Sequence, residues 1–153
     1  MTNTENSQRG VVLSLQDRAR SLDSLHAVER QAGSAGPARP DEWRDDLLLS
    51  LDAMASNLHD QFDRSAGEDG LLTRVISDAP HLAASVDDLR RRQLRLVGEI
   101  DDLRQTLSDL SRTVDVGVIR SRVGELTADV RELRAWEVDI VYEAYSFDLG
   151  TAD

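Results

Sequence analysis

Few side chains in this sequence can do chemistry. His26, His59 and His81 are the only histidines, there is no cysteine, and all 18 strong bases are arginines. Without lysine there is no Schiff base and no phosphate-loop cation. Without cysteine there is no thiolate nucleophile, disulfide, iron–sulfur cluster or sulfur-ligated zinc. Any metal site must combine imidazoles with carboxylates. His59 and Asp63 are spaced i, i+4, so both can point to one place from a single helix. Taken alone the pair reads rather as a surface cap or ion pair, because it lies well round from the apolar centre of its helix. His81 directly follows Pro80 at a helix start, where an imidazole faces solvent. No enzymatic reaction is legible in these residues, and the chain reads as non-enzymatic.

Composition narrows the class further. A chain of 153 residues with 40% hydrophobic and 31% charged residues can close one core, and is most simply one domain. Aromatics at 4% and three prolines point to aliphatic, helical packing. A net charge of −11 repels phosphate, which argues against nucleic acid and against anionic membranes. Arg90, Arg91, Arg92 and Arg95 form the one dense basic cluster, read as a solvated helix face or a patch for an acidic partner. Apolar runs such as Val11 to Leu13 and Leu47 to Leu49 are too short for a bilayer span or a signal core, so the expected location is the cytoplasm.

Hydrophobic spacing supplies the elements that must hold these residues. Residues 1–8 are expected to be a flexible terminus. The stripe Val12, Leu15, Ala19, Leu22, His26 and Glu29 predicts a first helix that turns polar at its end. Gly33, Gly36, Pro37 and Pro40 break it. A second helix is expected from about Asp41, as its cap, with the stripe Leu48, Leu51, Ala55, Leu58 and Phe62, widened by Trp43, Leu47 and Met54. Leu71 to Ile76 reads as a short helix or turn, and Pro80 suits the start of the next helix. That third long pattern is the strongest: Leu82, Val86, Leu89, Gln93, Leu96, Ile100, Leu103, Leu107, Leu110 and Val114. After a break at Asp115 to Gly117, the last stripe runs through Ile119, Val123, Leu126, Val130, Leu133, Glu137, Ile140, Ala144 and Phe147.

Gln93 and Glu137 are the only polar members of the last two stripes. Each lies twenty-two positions from Asp115, so a hairpin turning there puts them level and inward. A buried carboxylate is costly unless paired or hydrogen-bonded, and Gln93 can supply a donor. His26 is the third interior polar candidate, from the first helix. One reading of Gln93, Glu137 and His26 is a buried polar layer that fixes register. The other is a ligand site or its remnant, since bundle cores hold metals on Glu and His from facing helices.

The order of these parts resembles the bacterial hemerythrin-like family of cation-binding four-helix bundles. The resemblance runs from about Leu22 to the C-terminus. It consists of a histidine on the first helix (His26), then a tryptophan-led second helix ending in H-x-x-x-acid (His59, Asp63). A Gly-Leu-Leu…Ala-Pro-His-Leu connector follows (Gly70 to Leu82), then V-x-x-L-R-R-x-Q (Val86 to Gln93). The tail Y-E-A-Y-S-F-D-L-G (Tyr142 to Gly150) completes it. The family's non-haem di-iron centre uses about five histidines and bridging carboxylates, and open coordination positions let it bind oxygen. Carried over, His26 and His59 match histidine ligands and Asp63 the acidic member. Gln93 stands where a third-helix histidine is expected. The fourth-helix histidine has no counterpart among Leu133, Arg134, Ala135 and Trp136, which leaves Glu137 as the nearest acid. The resemblance thus implies a metal set of His26, His59, Asp63 and Glu137, too few for the usual pair of metals: a site for one metal, or a vestige.

The sequence is therefore read as all-α: an antiparallel four-helix bundle over 9–147, with a short extra helix or turn between helices 2 and 3 and a tail at 148–153. The expected function is a non-enzymatic hemerythrin-like bundle with a degenerate metal site and no favoured cofactor, acting through a ligand, a protein partner or self-association. Two alternatives stand beside it. One is a working protein of non-haem iron or another divalent metal, for oxygen sensing or storage. The other is a coiled-coil adaptor or oligomerisation module.

Overall fold

The computed structural model describes residues 3–34 and 38–146. Every regular element among them is helical: α1 Asn3–Ala32, α2 Pro40–Ala66, α3 Leu71–Asp78, α4 Ala83–Ser108 and α5 Val116–Ser146, with a 3-10 turn at Pro80–Leu82. The fold is all-α. Helix α1 starts inside the segment 1–8 assigned from sequence to a flexible terminus. Phe147 and the tail 148–153 lie outside the described residues.

Local chemistry accounts for three of the helix ends. Pro40 opens α2, where its missing N–H leaves no bond unmade, and Asp41 and Glu42 sit at the positive end of the helix dipole. The cap position is Arg39 rather than Asp41, and no side chain caps there. Asp115 does cap α5: its carboxylate accepts from the Val118 amide at 3.2 Å and its carbonyl from Ile119 at 3.0 Å. Helix α4 stops at Ser108 because Asp109 accepts from both the amide and the hydroxyl of Ser111, a local alternative to helical bonding. The four-three pattern expected to continue through Leu110 and Val114 therefore ends earlier. Leu110 is exposed and Val114 half-buried.

The four long helices close a ring, with α1 and α4 each packed on both α2 and α5. One apolar core fills it, and side chains such as Leu25, Leu47, Leu89 and Leu103 are wholly buried. Each such leucine stabilises the fold by about 1.5–3 kcal/mol. Paired positions run in opposite order along neighbours. Ser24 meets Asn57 and Gln31 meets Trp43 between α1 and α2. Arg18 meets Glu137, Glu29 meets Arg131 and Ala32 meets Arg120 between α1 and α5. Short α3 rests on α2, α4 and α5, and the Tyr145 hydroxyl of α5 donates to Asp78 at 3.0 Å.

Helix α1 presents a face other than the one expected, and α2 departs from its expected stripe only at the edges. The buried residues of α1 are Ser21, Leu25, Val28 and Ala32, while Leu22 and His26 are exposed. This face lies one residue, about 100°, from the expected stripe. Leu25, Val28 and Ala32 remain apolar to the helix end, whereas the expected stripe turned polar at His26 and Glu29. Val12 and Leu15, its first members, are outside the residues whose side chains are described. On α2 the expected Trp43, Leu47, Leu51, Met54, Ala55 and Leu58 are buried, joined by Arg44 and Gln61, while Leu48 and Phe62 are only half-buried.

Candidate functional site

The interior polar groups come from all four long helices. The heptad spacing that buries Leu89 and Leu96 also carries Gln93 inward, and Leu133 and Ile140 do the same for Glu137. Gln93 is 4% exposed and Glu137 5%. Both border one small cavity of about 10 Å³ between α2, α4 and α5. Gln61 of α2 and Arg134 of α5 complete its polar lining, with Leu58 and Leu96 among its apolar walls. Ser21 of α1 is also buried, one turn beyond Arg18. Neither Ser21 Oγ nor Gln61 Oε1 has a hydrogen-bonding partner among the described residues.

The charge at this level is Glu137 with two arginines. Arg18 Nη2 lies 3.9 Å from Glu137 Oε1, and Arg134 Nη2 donates to the Arg18 carbonyl at 2.7 Å. Burial pushes the Glu137 carboxyl above the ordinary glutamate range, and the guanidiniums of Arg18 and Arg134 pull against that shift. Burial also holds Arg134 below its ordinary value, with the charge of Arg18 acting in the same direction. A carboxyl favoured in its neutral form can donate as well as accept.

The residues named from sequence as metal ligands do not come together. His26 is exposed on α1, which corrects its assignment to the interior layer. His59 and Asp63 are exposed on α2, and His81 is exposed at the start of α4. Glu137 alone of the proposed ligands is buried, and it faces guanidiniums rather than imidazoles. Among the described residues no three His, Asp or Glu side chains are grouped closely enough to hold a metal ion. The donor set does not fit a non-haem iron centre: positive arginines oppose a cation, and neutral imidazoles are missing from the interior.

Gln61, Ser21, Arg18 and Arg134 were not identified from sequence. A signal existed for Gln61, since Leu47, Leu51, Met54, Leu58 and Gln61 keep strict four-three spacing. Choosing Leu48 and Phe62 as the stripe hid it. Arg18 and Arg134 flank the buried faces, and only helix packing shows where their long side chains reach.

The basic cluster of α4 is partly engaged within the chain. Arg91 pairs with Asp88 at 3.3 Å. Arg92 pairs with Glu132 at 3.1 Å and lies over the Trp136 ring, 5.3 Å from its centre. Arg95 borders an open groove with Glu99, Asp129 and Glu132. Among the described residues no helix is long and apolar enough to cross a membrane. No family model, curated protein or solved structure matches the chain.

Proposed function

We propose that this chain is a non-enzymatic antiparallel four-helix bundle whose interior layer sets helix register, and which acts through its outer surface on a protein partner. The observation that carries this reading is the cavity of Gln61, Gln93, Arg134 and Glu137, too small for any substrate and lined with guanidinium rather than imidazole. The opposite order of paired residues along α1, α2 and α5 supports the antiparallel arrangement. The resemblance to hemerythrin-like bundles gives the layer an origin. Gln93 stands at a family ligand position and Glu137 is the nearest fourth-helix acid. They border one cavity, while the histidines lie outside, as in a centre that has lost its ligands. An outward role is supported by exposed Leu22, Leu49, Leu94, Val138 and Tyr142. Pairing of α4 and α5 between chains has less support, because α1 and α2 already cover their apolar faces.

Metal analysis of protein produced with iron present tests the degenerate site. The expected result is no stoichiometric iron and a melting temperature indifferent to chelator. Stoichiometric iron with an absorption change on adding oxygen would overturn the proposal in favour of an oxygen-sensing or storage protein. A solution mass that shows a stable oligomer, dissociated by substitutions in the α4 or α5 stripes, would favour the coiled-coil alternative.

A further inference from the structure

Gln61 is 6% exposed, and its Oε1 is shielded from solvent with no donor in reach among the described residues. It borders the cavity that it shares with Gln93, Arg134 and Glu137. A buried amide oxygen left without a donor is costly, and folded proteins rarely tolerate one. We infer that this cavity is a binding site for one internal water molecule, which donates to Gln61 Oε1 and bridges it to the side chains of Gln93 and Glu137.

Size and chemistry agree on that ligand. A volume of about 10 Å³ is room for roughly one water and nothing larger. An internal water needs two to four polar partners, and Gln61, Gln93 and Glu137 supply acceptors and donors from three helices. The ionisable groups facing the level are Glu137 and Arg134 on α5 and Arg18 on α1, two of the three cationic, while α2 and α4 present only neutral side chains to the cavity. A neutral ligand therefore fits better than a cation. Such a water would couple α2, α4 and α5 through hydrogen bonds that no direct contact makes. The inference does not depend on any partner at the outer surface.

Water-to-protein nuclear Overhauser spectroscopy on the isotope-labelled full chain tests it at the side-chain amides of Gln61 and Gln93. Both should show cross-peaks of the sign given by a water that tumbles with the protein. In Gln61→Met, which keeps a side chain of similar length, the Gln93 cross-peak should disappear. In Glu137→Gln, which keeps a hydrogen-bonding group beside the cavity but removes the exchangeable carboxyl proton, cross-peaks that persist come from water rather than from that proton. Absence of both cross-peaks in the folded natural chain would overturn the inference. So would an unchanged Gln93 cross-peak in Gln61→Met.

Discussion

Arg18 on α1 stands 3.9 Å from Glu137 on α5, across a sequence separation that makes the contact wholly tertiary. Arg18 is about one-third exposed while Glu137 is almost fully enclosed, so the pair spans the boundary between water and core. The arginine keeps part of its hydration, and the carboxyl bears the heavier desolvation.

That asymmetry has a definite pH signature. The folded-state pKa of Glu137 is raised above its ordinary value of 4.5, so the native state holds the proton more tightly than the unfolded chain. Its contribution is fully present below that ordinary value and is lost as pH rises through the raised one. Comparing the natural chain with Glu137→Gln by urea unfolding cancels the other carboxylates. The stability of the natural chain relative to the variant should fall as pH rises through this window. A difference that is flat or rises with pH would contradict the burial argument.

Arg120 satisfies the end of α1. Its Nε donates to the Ala32 carbonyl at 2.7 Å and its Nη2 to the Ser34 carbonyl. Last-turn carbonyls otherwise lack helical partners. Arg120→Ala should cost about 1.5–3 kcal/mol, the usual range for hydrogen bonds to a charged group. Arg120→Lys should recover less than half, because one ammonium cannot reproduce the planar two-point fork. Full rescue by lysine in thermal unfolding would show that charge alone matters.

Gly70 connects α2 to α3 with its Cα against the chain it has just left. A Cβ there would collide with the carbonyl groups of Arg64 and Ser65, which are backbone and cannot rotate aside. Gly70→Ala should destabilise the chain by about 1–3 kcal/mol, as overpacking typically does. Gly98 and Gly124 offer controls, since a Cβ at either meets nothing within 4 Å. Alanine at these two helical sites should be neutral or stabilising by up to about 1 kcal/mol.

The faces of α4 give a second internal comparison. Ile100 is fully buried, and Leu94, on the same helix, is 73% exposed. Ile100→Ala should cost about 2–5 kcal/mol from lost burial and the cavity left behind. Leu94→Ala should stay within about 0.5 kcal/mol of the natural chain. Equal losses in chemical denaturation would mean that another surface covers Leu94 in solution.

The sequence by itself determined the helical class and the strong faces of α4 and α5. Gln93 and Glu137 could be set level by counting from Asp115, and they border the same cavity. These features depend on the helical period and one short connection, which neighbours in sequence largely specify. Tertiary structure decided the face of α1, where Leu25 rather than His26 turns inward, and the face of α2 that buries Gln61. Both helices carry apolar residues on more than one flank, so docking selects the side that leaves the most apolar area covered. Packing also decided which charges meet. Arg18 and Arg134 have long side chains at the edges of buried faces, and their reach depends on the neighbouring helix rather than on spacing. For that reason the carboxylate of Glu137 was visible in the sequence, but the guanidiniums around it were not.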